Sequence, residues 1–222
     1  MLGHQLITAV EAAAHKLCSA FGLNPVKIIW SDKISTAGIN HSGEMYLADV
    51  QPGAVVTRAL LNRYVGFVVH ELLHRKYTDF NVRAAGAYVA ALHNAVEDVW
   101  IERCAVRDGL TGNIHGLLST LIDGMVNEAL SAVSDWTDPG QYPFALAVEG
   151  RRYAVVKVPL AQGLAPIFDE ASKRIDACLN SRDTLDVAEW VFRQLSIPEQ
   201  DKPGKPGDKP GKPGQPGDDQ PG

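Results

Sequence analysis

The fold turns on residues 54–77, AVVTRALLNRYVGFVVHELLHRKY. Val55, Val56, Leu60, Leu61, Tyr64, Val65, Val68, Val69, Leu72 and Leu73 recur at helical spacing. They cover more than one face, which predicts a helix buried on most sides. Inside that apolar helix stand His70, Glu71 and His74. Residues four apart on a helix lie one above the other, so both imidazoles can reach one ion from the same side. Glu71, one residue along, can approach a metal-bound water without ligating the metal. That is the division of labour of an HExxH zinc hydrolase. Zinc brings the water's pKa towards neutrality, and the carboxylate takes its proton as a carbonyl carbon is attacked. The competing reading is a surface turn of a core helix. Against it, two histidines and a glutamate are costly to bury in a Val/Leu-rich helix without a shared purpose.

A catalytic zinc wants a third protein ligand and leaves one position for water. Thr78-Asp79-Phe80-Asn81 offers capping residues before a second long helical pattern, about Val82 to Val106. Two helices on a short connection pack antiparallel, which returns a point some 23 residues after His74 to the motif. Glu97 lies at that point and Asp98 is its rival. Glu102 and Arg103, about a turn further on, are candidates to orient the ligands or to pair with each other. His93 is a candidate to steady a ligand or a tetrahedral oxyanion, or else a satisfied helix histidine. Tyr77 can act as an electrophile near the metal or pack as an aromatic. His115, just inside the third helix, is a candidate to enter the cleft, and an exposed helix-start residue is the stronger reading of it.

Outward from these helices the pattern is mixed. Residues 5–21 have helical spacing, stopped by Gly22. Val26–Trp30 (VKIIW) reads as a strand, and Glu44–Val50 alternates weakly after a turn at residues 40–43. The two can pair in a small sheet, and Pro52-Gly53 ends the extended region. Asp108-Gly109 closes the second long helix. A third helix, about Ile114–Val133, follows a Thr111-Gly112-Asn113 turn, and further helices are predicted near 143–154, 163–179 and 184–195. The expected fold is mainly α with a small N-terminal β element (α+β). It forms one domain over residues 1–197, with a helical subdomain from about 140.

Composition sets the class. The chain has 222 residues and a net charge of −5, with no basic run outside its C-terminal tail, so nucleic acid is not an expected partner. Three cysteines (Cys18, Cys104 and Cys178) lie far apart and outside any CxxC spacing, which suits a reducing compartment. No apolar run approaches the ~18 residues of a membrane span. The N-terminus carries Glu11 and His15 and lacks the basic region of a signal peptide, so a soluble, cytoplasmic protein is expected. Seven prolines, six of them opening a Pro-Gly pair, fall from Pro198 onward. The glycines of that tail keep no three-residue register, which excludes collagen. Residues 198–222 are expected to be a disordered spacer.

Three segments together carry a family resemblance: the HExxH helix, then Tyr77-Thr78-Asp79-Phe80, then the Asn-Ala-x-Glu-Asp-x-x-Ile-Glu pattern from Asn94 to Glu102. They resemble the metallopeptidase-like N-terminal region of phage and bacterial proteins related to the cobaltochelatase CobT type. The match is close over residues 50–105 and loose over 143–153. The resemblance implies a zincin-like unit with Zn2+ held by His70, His74 and, in the gluzincin manner, Glu97, and with Glu71 as the base. It implies a peptide or protein substrate, with Val26–Trp30 or Glu44–Val50 as the edge strand that pairs with it. It also implies a von Willebrand factor A module after the spacer, to be sought on a separate protein or beyond residue 222. Thermolysin-like zincins carry an Asp four residues after the ligand Glu. Here that position is Ile101, whereas Asp98 has Glu102 four residues on. Glu97 and Asp98 therefore both stay open. The function so implied is zinc-dependent peptide hydrolysis. The alternative is a non-proteolytic module with a structural or vestigial zinc site, acting beside an ATPase or a von Willebrand module.

Overall fold

A computed structural model of the chain describes residues 1–110 and 113–195. The Thr111-Gly112 part of the turn before the third helix, and the spacer from Pro198, lie outside the described residues. The protein is mainly helical, with seven α-helices and one three-stranded sheet among the described residues. They divide into two compact units, Met1–Lys76 and a second beginning at Tyr77. No helix among the described residues is long and apolar enough to cross a membrane.

In the first unit, α1 (Gly3–Phe21) buries Leu6, Val10, Ala14, Cys18 and Phe21, a stripe at three- and four-residue spacing. Gly22 ends it at φ 69°, a left-handed position that costs glycine little, and the Leu23 N–H returns to the Cys18 carbonyl at 2.8 Å. The chain then forms β1 (Lys27–Ser31), β2 (Ala37–Ile39) and β3 (Glu44–Ala48). Their spatial order is β1-β3-β2. β1 runs parallel to β3, with Ile29 opposite Tyr46, and β2 runs antiparallel to β3, with Gly38 opposite Tyr46. Along β3, Met45 and Leu47 are fully buried while their neighbours are half-buried, the period of two that the sequence carries only faintly. β2 is absent from the sequence expectation. Three residues, one of them glycine, have little strand preference of their own, and pairing with β3 supplies the reason for it.

The helix expected from Ala54 begins later, as α2 (Arg58–Tyr77). Residues 54–57 lie outside it. Val55 bridges to Leu2, the Val56 N–H donates to the Met1 carbonyl at 2.8 Å, and the Val55 side chain is 85% exposed. The Thr57 hydroxyl then accepts the Leu60 N–H at 3.2 Å, which serves the first turn's spare donor. α2 buries Tyr64, Phe67, Val68, Val69, Leu72 and Leu73, as its wide apolar surface predicts. Three bonds fix its orientation in this unit. The Tyr64 hydroxyl donates to the Ala48 carbonyl at 2.9 Å, Lys76 Nζ to the Phe21 carbonyl at 2.9 Å, and Arg75 Nη1 to the His41 carbonyl at 3.3 Å.

At the start of α1, a methyl group on Gly3 would meet the Gln51 carbonyl oxygen at 2.0 Å. Gly3→Ala is therefore expected to destabilise the protein by about 1–3 kcal/mol, read as a lower urea midpoint. A midpoint within error of the parent's would mean that this helix start shifts freely.

The second unit is built around α3 (Ala87–Arg107), against which α5 (Tyr142–Gly150), α6 (Leu164–Ala177) and α7 (Ser181–Leu195) pack. The helix expected from Val82 starts at Ala87. Asp79 does not cap it. Its carboxylate accepts the Asn81 N–H at 2.9 Å in a local turn, and its own N–H donates to Ser181 Oγ at 2.8 Å. Gly86, extended at φ −148°, precedes the helix instead. α4 (Ile114–Ala132) starts from Asn113, whose side chain accepts the Gly116 N–H at 3.1 Å. Its Asp123 carboxylate accepts the N–H groups of Val155 and Val156 at 3.0 and 3.1 Å. Gly150 lets α5 approach α3 closely, because a methyl group there would meet Val99 Cγ2 at 2.7 Å. Cys18, Cys104 and Cys178 are all free thiols and all buried.

Candidate metal centre

The motif of the first unit lies in the last two turns of α2. The His70 and His74 rings stand perpendicular with centroids 4.9 Å apart, and a ligand nitrogen of one lies within 4.8 Å of one on the other. Glu71 is 7% exposed and His74 9%, among Val68, Val69, Leu72 and Leu73, which are fully buried. The backbone carbonyls of a helix C-terminal end carry partial negative charge, so this end of α2 favours a cation over an anion. Two imidazoles on one helix face, with a buried carboxylate about 100° further round, is the arrangement the sequence predicts.

The acids of the second unit lie on α3. Glu97 is 7% exposed, and its Oε1 is buried with no hydrogen-bond partner among the described residues. A buried carboxylate oxygen left in that state is costly and calls for a further partner. Asp98 is half-buried, and the Arg151 guanidinium reaches it through Nη2 at 3.4 Å. Glu102, 2% exposed, takes Arg151 Nε and Nη2 at 2.9 Å each, and the Tyr153 hydroxyl also donates to it. Burial and the Glu102 carboxylate together raise the Tyr153 hydroxyl well above its ordinary range, so it stays a protonated donor.

The remaining sequence candidates all lie in the second unit, and most have defined partners there. Arg103 Nη1 donates to the Ser172 carbonyl and Asp176 at 2.7 and 2.8 Å, and its Nη2 to the Gly150 carbonyl and Ser172 Oγ at 2.7 Å each. It ties α3 to α5 and α6 and does not pair with Glu102. His93 is buried, with Nε2 3.0 Å from Thr184 Oγ1 and 3.3 Å from the Ser181 carbonyl. Thr184 Oγ1 gives its own proton to that carbonyl at 2.8 Å, so we assign the hydrogen on His93 to Nε2. The Tyr77 hydroxyl donates to Asp108 at 2.9 Å, and its ring meets Trp100 edge-on at 6.4 Å. Burial, then Asp108, raises that hydroxyl well above the ordinary tyrosine range. His115 is exposed, and its ring lies perpendicular to Tyr153 at 4.6 Å.

Arg151 and Tyr153 are the site residues that sequence reasoning missed. The available signal was the pair Asp98 and Glu102, two acids four apart in an otherwise apolar helix. Such a pair calls for a cation, and the Arg-Arg-Tyr at 151–153 supplies one.

No family model, curated protein or solved structure matches this chain.

Proposed function

We propose that the protein is a zinc-dependent hydrolase of peptide bonds, with the metal held by His70, His74 and one of Glu97 and Asp98, and with Glu71 as general base. The observation that carries the reading is the His70/His74 pair one turn apart on α2, with Glu71 buried beside it. The donor chemistry suits zinc, since imidazole nitrogens and a carboxylate oxygen are its ordinary ligands and three of them leave a position open. The third ligand is sought on α3 of the second unit, at Glu97 or Asp98. The likeness of the HExxH and Asn94–Glu102 segments to the CobT-related metallopeptidase-like region supports zinc at His70 and His74 with Glu71 as base, and it implies Glu97 as the third ligand.

Zinc, when bound, supplies a Lewis acid that polarises the scissile carbonyl and makes water acidic enough to attack at neutral pH. The chain's own part is to hold the reactants and to move protons. Glu71 Oε accepts a proton from the attacking water, then delivers it to the nitrogen of the leaving amine. Burial in the Val/Leu surface of α2 limits competing water around that carboxylate.

The test is metal analysis of the purified protein beside His74→Ala, Asp98→Ala and Glu97→Ala. Zinc is expected at one per chain in the parent, to be lost from His74→Ala, and to be lost from only one of Asp98→Ala and Glu97→Ala, which identifies the third ligand. A parent that binds no zinc ends the reading, and a parent that binds zinc but cleaves no member of a peptide library is a partner-binding module instead.

A further inference from the structure

One face of the second unit gathers aromatic rings from three elements. Tyr88, at the start of α3, packs against Phe192 of α7 with ring centroids 5.9 Å apart, and its hydroxyl donates to the Pro139 carbonyl at 2.8 Å. The Tyr142 hydroxyl donates to the Thr137 carbonyl at 2.8 Å, and Trp136 lies against Phe144 at 6.4 Å. Tyr88 is buried, whereas Trp136, Pro139, Tyr142, Phe144 and Phe192 are all half-buried. Trp30 and Trp100 give their indole N–H groups to Glu11 and the Cys178 carbonyl, but that of Trp136 has no hydrogen-bond partner among the described residues. The surroundings are acidic. Asp135 and Asp138, both exposed, stand on either side of Trp136 in the chain, and residues 108–150 contain no lysine or arginine.

Half-buried rings beside an open N–H donor suit a proline-rich ligand. A polyproline II segment makes no internal hydrogen bonds, so its rings pack on aromatic side chains while its free carbonyls take donors from them. The sequence of this chain contains such a ligand. It reads Lys202-Pro203-Gly204-Lys205-Pro206 and again Lys209-Pro210-Gly211-Lys212-Pro213, two copies of a PxxP segment with lysine before and within it. Their four lysines, against the single Asp208, complement the carboxylates beside Trp136. Phe192 lies in the last turn of α7, so that helix ends beside the aromatic face. The seven residues from Leu195 to Lys202 can span about 20 Å.

We propose that this aromatic face is the docking site of the chain's own KPGKP segments, between Lys202 and Pro213. Trp136 gives its N–H to a backbone carbonyl of the segment, the proline rings lie on the exposed aromatic surface, and the lysines face Asp135 and Asp138. A short tether holds such a segment at an effective concentration of about 1 mM. A contact too weak to form between separate molecules at micromolar concentration is therefore made within one.

The test is the indole N–H region of the nitrogen–proton NMR spectrum of the full chain, where Trp30, Trp100, Trp136 and Trp190 each give one signal. Trp136→Phe identifies the Trp136 signal. Changing Lys202, Lys205, Lys209 and Lys212 together to Glu is expected to move that signal and to leave those of Trp30 and Trp100 in place. A synthetic peptide of residues 202–213, added to the lysine variant, should return the signal towards its parental position with a midpoint of about 1 mM. A Trp136 signal unmoved by the lysine changes overturns the proposal. So does a parental signal that shifts with protein concentration, because the segment of a second copy would then be the occupant. Should Trp136→Phe fail to fold, p-benzoylphenylalanine in place of Phe144 reads the same contact. Light is expected to cross-link it to residues 202–213 of its own chain, and cross-links confined to other residues overturn the proposal.

Discussion

Glu71→Gln is expected to lower peptide hydrolysis by about 10²–10⁴-fold, the usual contribution of a positioned general base. Zinc content should stay at the parent level. The amide keeps the shape of the side chain, so the packing of α2 around Val68, Leu72 and Leu73 is undisturbed. What it loses is the ability to take a proton from water and pass it to the leaving amine. Because Glu71 is not among the proposed ligands, the two readouts separate: rate falls and metal remains. The measurement is kcat/KM on any peptide the parent cleaves, beside zinc per chain. A variant that keeps parental activity would remove Glu71 from the chemistry.

The second large effect is on stability. Arg151→Ala is expected to cost about 3–5 kcal/mol, the range seen when one partner of a buried ion pair is removed. The cost comes from Glu102, which is 2% exposed and would lose both bonds of 2.9 Å. Urea unfolding by circular dichroism reads it, with the slope checked against the parent. Combining Arg151→Met with Glu102→Leu removes both charges and should recover much of the loss. A single variant within 1 kcal/mol of the parent would show that solvent or another group compensates Glu102.

The helices were legible wherever apolar spacing and a stop signal agreed. α1 ends at Gly22 and α4 starts at Asn113 because each residue has a local chemistry that does not depend on the rest of the fold. Starts set by distant segments were not legible. Val55 and Val56 pair with Leu2 and Met1, and Asp79 is drawn to Ser181, about a hundred residues away. β2 exists because β3 lies beside it. The site divides in the same way. His70, Glu71 and His74 declare themselves because spacing within one helix is enough. Glu97 and Asp98 are neighbours about 100° apart on α3, and spacing cannot say which faces what. Arg151 was hidden because its partners sit 49 and 53 residues away in sequence.

The three cysteines bear on how zinc in this protein can be counted. Burial raises the thiols of Cys18 and Cys104, and burial with nearby Asp183 pushes Cys178 up to about 12. All three are buried, so in the folded chain none is exposed to take up the ion. The folded chain therefore has no sulfur sink: each equivalent of zinc it retains through dialysis is a direct census of its histidine and carboxylate donors. Thiol-reactive dyes, silent on the native state, would turn on only as the core opens, giving a signal for unfolding that leaves the metal ligands untouched.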